Sequence, residues 1–488
     1  MGRRSEEAVA AKEPSPPPHA TEDDVNDLPP LPERGPLARK LSAPLTQVVI
    51  ISLICFCTPG IFNANSGMGG GGQLDPKAAN DANIALYCTF AVFGVAAGGI
   101  VNRIGYRLAF AIGAAGYSLY MGSLLSYNIN GNSGFVVASG AILGCCAALL
   151  WTSQGSLTLA YAAEGSKGRY FAIFWALFNV GGVVGAAVEL GISWNSTTNS
   201  VSNSVYIALL CIAACGAFLP ALLANPATMV RSDGTRVVPP VHPTWRKEVE
   251  GMWELIKTER ILICLLPLFF GSNFTYTWEQ STYNGHLFTL RTRALNSLLF
   301  WLFQMVGAAI FGVLVDYKRF SKVRRAWGSL VFLLALHMAV WGASYHVQRG
   351  FHRNDDFIRI DLKEGRYAGY GALYVFQGIL DAVTQNWAYW LMGAITSNPA
   401  QLARLVGVYK GIQSAGAASA FAMDSGGTSY MGELAATWAV GVAGLVFAAP
   451  VVAFRLQRGT EKEQEAVDVA KLDLVSVSSA DKKEHEAA

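Results

Sequence analysis

Twelve apolar runs, each about 20 residues long, fall six on either side of one polar stretch, and nothing else in this 488-residue chain restricts its fold as severely. A bilayer core about 30 Å thick needs roughly 20 apolar residues per helix. Inside lipid the backbone must satisfy its own hydrogen bonds, so such runs become helices. The polar stretch runs from Asn225 to Arg260 and contains Arg231, Arg236, Arg246, Lys247, Lys257 and Arg260. The first six runs are read as Leu45–Asn63, Asn80–Val101, Gly105–Tyr127, Gly134–Ala162, Arg169–Ile192 and Val205–Ala224. The second six are Ile261–Tyr283, Ala294–Val315, Ala326–His346, Tyr370–Thr396, Leu402–Met423 and Gly432–Phe454. The pattern predicts an all-α membrane protein of twelve transmembrane helices in two six-helix bundles, 45–224 and 261–456. Residues 225–260 form the connector, and 1–44 and 457–488 are tails.

Composition agrees. Apolar residues make up 52% and charged residues only 15%, where a soluble chain carries about a quarter charged. The net charge of +3 is small, and the basic residues form no aromatic-rich face, so nucleic acid is not an expected partner. All eight cysteines lie in apolar runs, which implies packing thiols rather than a disulfide framework. The first forty or so residues are polar and Pro-rich, which reads as a disordered cytosolic tail without a cleavable signal.

Loop charges set the orientation. With both termini cytosolic, the inner loops carry roughly twice the Lys and Arg of the outer ones. The short outer loops of the first half carry only Lys77. Asn195-Ser196-Thr197, a glycosylation sequon, then falls outside. In the connector, Trp245, Val249, Met252, Trp253 and Ile256 share one helix face. That fits either a helix in the membrane interface or one packed on the protein. The pairs Gly94/Gly98, Gly140/Gly144 and Gly407/Gly411 have helix-packing spacing. The run Gly69–Gly72 lacks the Gly-Lys-Ser/Thr of a phosphate cradle and reads as a flexible turn outside the membrane.

Two loops carry a repeated motif. Gly98-Gly99-Ile100-Val101-Asn102-Arg103-Ile104-Gly105-Tyr106-Arg107 follows the second run. Gly312-Val313-Leu314-Val315-Asp316-Tyr317-Lys318-Arg319 follows the eighth. Both resemble the G-x-L-x-D-R-x-G-R-R loop of the major facilitator superfamily. A carboxylate among guanidinium groups can latch helix ends, which makes Asn102, Arg103, Arg107, Asp316 and Arg319 the gating candidates. Asn102 stands where the motif has an acid, which weakens the first latch; a plain basic loop is the alternative.

A narrower resemblance covers runs one to five. It rests on Thr58-Pro59-Gly60-Ile61-Phe62-Asn63-Ala64-Asn65-Ser66-Gly67-Met68 with its glycine run, and on Gly116-Tyr117-Ser118-Leu119-Tyr120. Trp151-Thr152-Ser153-Gln154-Gly155-Ser156-Leu157 and Lys167-Gly168-Arg169-Tyr170-Phe171 complete it. Together these are similar to the fungal Unc-ninety-three-like family of the major facilitator superfamily. That resemblance implies the twelve-helix major facilitator fold. It also implies either transport or, as in the family's animal members, regulation of a channel or trafficking of a receptor.

Ionisable groups at mid-membrane depth default to functional candidates. Asp381 lies about eleven residues, roughly 16 Å, into the tenth run. It shares a helix face with Gln377, Thr384 and Gln385. Lys410, two turns into the eleventh run, either pairs with Asp381 or snorkels to the interface. Glu279, beside Trp278 and Gln280, reads as a half-wet gate or interfacial group. Trp151, Gln154 and Asn179 either bind ligand or tie helices together. His337 reads as a packed neutral histidine, while Glu164, Glu189, Asp424 and Glu433 read as solvated helix-end groups.

The leading expectation is a multi-pass carrier in the plasma membrane or an internal membrane such as the vacuole. It would move a small molecule or ion by alternating access in the lipid bilayer, and if transport is proton-coupled, Asp381 is the carboxylate nominated for it. The rival is a non-transporting channel regulator or trafficking chaperone with a membrane-protein partner. No nucleophile–base pair, metal-ligand spacing or nucleotide loop is seen, so neither an enzyme nor a cofactor is expected.

Overall fold

The computed structural model describes residues 35–456, with breaks at 74, 163–165, 197–198, 232–233, 238–243, 316, 318, 356–357 and 397–398. The C-terminal tail and most of the N-terminal tail expected to be disordered therefore lie outside the described residues, as do Glu164, Asp316 and the sequon's Thr197, while Pro36–Leu41 of the N-terminal tail forms a short helix. In chain order the first helices are α1 (Pro44–Gly67), α2 (Lys77–Ile104), α3 (Tyr106–Asn130), α4 (Ser133–Tyr161), α5 (Lys167–Ser193) and α6 (Asn203–Leu222). The connector helix α7 (Trp245–Thr258) and the short apolar α8 (Arg260–Gly271) follow. The last five are α9 (Leu290–Val315), α10 (Lys322–Gln348), α11 (Tyr367–Ile395), α12 (Pro399–Ser425) and α13 (Tyr430–Leu456). Among the described residues, pairing in the β manner is confined to two isolated bridges, Val230–Arg236 and Phe288–Ile360.

Local chemistry starts and stops these helices. Pro44 opens α1 at a position that needs no N–H donor. Asn132, Ser321 and Ser429 cap α4, α10 and α13 by accepting from Phe135 N, Arg324 N and Gly432 N. Gly131, at φ +71°, closes α3 in the left-handed conformation. Pro59 cannot donate to the ladder, and α1 widens into a π-turn over Phe56–Gly60.

Nine helices among the described residues are long and apolar enough to cross a membrane. Two more, α11 and α12, are equally long but carry the amides, hydroxyls and charges that lower their hydropathy. The seventh expected crossing is broken. α8 ends at Gly271, and the chain resumes as a π-helix over Thr277–Asn284 whose residues are all buried.

The buried apolar side chains gather into one large cluster drawn mainly from residues 48–237 and others drawn from 262–456. The two sets meet where α2 packs on α12 and α5 on α9. Tyr87 of α2 stacks on Phe421 of α12 at 6.0 Å, and the Trp301 ring of α9 lies against Gly182 of α5.

Two expectations change, and the connector helix takes one of its two readings. The run Gly69–Gly72 is no free turn: all four residues are buried with positive φ, and a Cβ on Gly69 would overlap the carbonyl oxygen of Gln280. Glycine is needed there because two backbones touch. Of the spaced glycine pairs, Gly140 and Gly144 approach the α2 backbone at Ala82 and Leu86, while Gly94 and Gly411 have open space beside them. Helix α7 packs across α2 and α12, with Arg404 beside Gly251 and Met252 beside Gly407. Its Val249 and Trp253 remain exposed.

Candidate functional site

The polar residues of α11 and α12 converge with the broken α8 region on one carboxylate. Asp381 is 4% exposed. Its Oδ2 accepts from Tyr276 Oη at 3.1 Å and from Gln304 Nε2 at 2.5 Å, and its Oδ1 accepts from Gln385 Nε2 at 2.9 Å. All three donors are neutral. The direct pair with Lys410 is not formed: its Nζ donates to Gln413 Oε1 at 2.9 Å and lies over the rings of Tyr409 and Tyr389 at 5.3 and 5.6 Å. The aromatic faces hold the ammonium. Gln413 Nε2 contacts Gln385 Oε1 at 3.3 Å, so cation and carboxylate communicate through two amides.

Other candidates separate. Gln377 points away from Asp381 and donates to Ser344 Oγ of α10 at 3.1 Å. Glu279 is fully buried rather than half-wet. One of its oxygens accepts from Thr275 Oγ1 at 3.1 Å and the other, Oε1, has no partner. The chain breaks its helix at this point, which carries the side chain inward instead of to the interface. Gln154 donates to Thr158 Oγ1 and Asn179 to the carbonyl of Trp175, each within its own helix. Trp151 packs edge-on against Phe174 and Phe178. Trp151 thus packs α4 on α5 in this conformation, while the Gln154 and Asn179 bonds stay inside their own helices. His337 is buried with Nδ1 against the Leu333 carbonyl, as expected of a packed ring. Asn102, Arg103 and Arg319 are exposed at the connector end, and Arg107 bonds the Leu223 carbonyl at the end of α6 at 2.5 Å.

At the opposite, far end, three residues expected to be solvated are buried: Glu189 (0%), Asp424 (4%) and Glu433 (3%). Loops and neighbouring helices cover them. Asp424 accepts from Asn80 Nδ2 of α2 at 2.5 Å and from Arg353 Nη2 at 2.6 Å. Arg353 also pairs with Glu433, and Ser425 bonds Asp81 and Lys77. On the other edge Arg293 of α9, 1% exposed, donates to the carbonyls of Met68 and Gly69 at 2.7 Å each and of Asn199 at 3.1 Å. Asn284 and Ser297 bond the carbonyls of Gly67 and Ala64. Two polar latches therefore close the far end, one joining α2 to α12 and one joining α1 to α9.

Between the latches and Asp381 lies a small cavity of about 20 Å³ bounded by residues from both parts of the chain. Asn63, Ser66, Asn83 and Gln280 supply its polar wall, and Phe62, Tyr87, Trp301 and Phe421 its aromatic one. Tyr276 belongs to both structures, lining the cavity and donating to Asp381. The Asn63–Ser66 segment and Arg293 were missed as site residues. The dense polar residues near the end of α1, otherwise so apolar, were the available signal.

A sequence profile described as ion channel regulatory protein UNC-93 matches residues 71–345. An UNC93-like protein of Schizosaccharomyces pombe is 40% identical over 424 residues, covering 86% of this chain and 84% of that protein. The chain belongs to the UNC-93 family. Membership extends beyond fungi, since UNC93-like protein 1 of Arabidopsis thaliana is 36% identical over 405 residues, 82% of this chain and 88% of its own. Among solved structures, the partially occluded inward-open xylose transporter XylE of E. coli superposes with a TM-score of 0.55 at 13% identity. That match covers 86% of this chain and 97% of the other. This UNC-93 member thus has a transporter-type, major facilitator fold.

Proposed function

We propose that this protein is a carrier of twelve membrane crossings, grouped as bundles 45–224 and 261–456, that moves a small solute by alternating access with proton coupling at Asp381. In this reading α11, α12 and the α8 segment with its π-helix complete the count. Their lower hydropathy reflects the buried polar network around Asp381 and Lys410, because polar side chains at that depth face protein or water rather than lipid. The connector end, with its basic loops, is cytosolic. Asn195, exposed beyond α5, then faces the opposite compartment.

One observation carries the proposal. A buried carboxylate is held by three neutral donors, and one of them, Tyr276, also lines the cavity between the halves. Such a carboxylate can take up and release a proton without breaking an ion pair, and the hydroxyl reports its state to the cavity. Glu279, Tyr87 and Tyr409 are the other titratable groups that interact with it, and Lys410 does so across two amides. Purified protein in liposomes containing a pH dye, given a panel of sugars, nucleosides and ions, should acidify the interior with one class. Asp381→Asn should abolish that signal. Unchanged acidification would remove Asp381 from the mechanism.

The second reading, a regulator of a membrane-protein partner, is favoured by the UNC-93 profile's description and by Asn102 in place of a motif acid. Co-purification of a stoichiometric membrane protein, with no solute-driven proton movement, would select it.

A further inference from the structure

The cavity's chemistry narrows the solute class, a step that rests on the carrier reading above. Two of its walls hold polar atoms without partners. Asn83, 7% exposed, has an unbonded Oδ1, and Trp301, 4% exposed, has an unbonded Nε1. A buried acceptor or donor left empty costs about 1–3 kcal/mol, so both are waiting for a ligand atom or a water. They come from opposite parts of the chain, Asn83 from α2 and Trp301 from α9. A single ligand offering a donor to one and an acceptor to the other would tie the halves together.

The remaining wall chemistry is neutral. Asn63, Ser66 and Gln280 add amides and a hydroxyl, and Tyr87 stacked on Phe421 offers a flat aromatic surface. None of the nine lining residues is charged. Both oxygens of Asp381 are already hydrogen-bonded behind Tyr276, and fully buried Glu279 does not line the space. A full charge brought here would lose its hydration without meeting a counter-charge, which is costly. Aromatic faces beside amides and hydroxyls instead match a ring that carries several hydrogen-bonding groups. At about 20 Å³ the space holds roughly one water, so the ligand enters only when the halves part.

We propose that the cavity between α1, α2, the π-helix, α9 and α12 binds an uncharged, ring-containing, multiply hydrogen-bonding solute of the sugar or nucleoside kind, gripped by Asn83 and Trp301. Thermal unfolding of the full-length protein in detergent, with 10 mM probe, tests this; the concentration is of the order that makes a millimolar binder visible. The neutral probes are D-xylose, myo-inositol and uridine. The charged ones are D-gluconate, uridine monophosphate, choline and potassium. A neutral ring should raise the unfolding temperature by about 2–4 °C. Asn83→Leu and Trp301→Phe, each compared with its own unliganded value, should each weaken binding roughly tenfold, as loss of one hydrogen bond implies. Binding of charged probes only, of none, or of a neutral probe equally well by both variants would overturn the assignment. Neutral binding without uptake would instead count against the carrier reading and leave the ligand class standing.

Discussion

Single residues decide how close the two parts of the chain can come. Gly69 and Gly94 look alike in sequence, yet Gly69 sits at φ +77° against the Gln280 carbonyl while Gly94 faces open space. Gly69→Ala should cost well over about 2 kcal/mol through strain and overlap, and Gly94→Ala should be neutral or stabilising by about 0.5–1 kcal/mol. Thermal unfolding in one detergent compares them directly. Arg293 is the sharper case. Its guanidinium satisfies the Met68, Gly69 and Asn199 carbonyls, and its charge reaches Glu189, whose oxygens have no hydrogen-bond partner, without forming an ion pair. Arg293→Ala should destabilise by about 3–5 kcal/mol, because three carbonyls at the seam lose their charged donor. Glu189→Gln in the same chain should restore part of that loss, a non-additivity that a double-mutant cycle detects. Asp381 was legible because a charge in the middle of an apolar run is costly. Arg293 and Glu189 were not, because positions near run ends read equally well as solvated until the covering loops are known.

At the scale of elements, hydropathy located the helices well and misjudged the connections. The charged segment after α10 folds back over α9. Asp361 accepts from Arg291 Nε at 2.6 Å and Nη2 at 2.7 Å and from Thr289 Oγ1 at 2.9 Å, while Ile360 bridges to Phe288. The bidentate bond from Arg291 holds the Asp361 carboxyl down at about 2. Its unfolded value is about 3.9. Stability from this tie is therefore complete above about pH 4 and lost as pH falls through about 2. Asp361→Asn should lower the unfolding temperature at pH 7, and the gap from the parent should close between about pH 4 and 2; a constant gap would show that the carboxylate's charge does not matter. The break between α8 and the π-helix was invisible for a related reason. The π-helix that follows it is mostly polar yet wholly buried, and periodicity cannot separate a polar interior from a loop.

For the whole molecule, the two latches set which end is closed. Each uses charged or amide groups from one half against carbonyls or carboxylates of the other, so parting the far end breaks both together. The latch on α2 and α12 is the easier to weaken without disturbing packing, since Asp424 meets Asn80 and Arg353 through side chains alone. A hydrogen bond to a charged group contributes about 1.5–3 kcal/mol, a factor of roughly ten to a hundred in the ratio of open to closed molecules. Asp424→Ala should raise that ratio accordingly. In a cysteine-replaced background, Asn63→Cys places a thiol in the cavity, beyond reach from the far side while both latches hold. A membrane-impermeant maleimide applied to that side should label it at least tenfold faster once Asp424 is replaced, and a saturating neutral solute should slow the reaction again by filling the space. Equal labelling rates with and without Asp424 would mean that the α1–α9 latch alone keeps the molecule shut. The same comparison with Arg293→Ala would then show whether that buried guanidinium, rather than the carboxylate cluster, governs access.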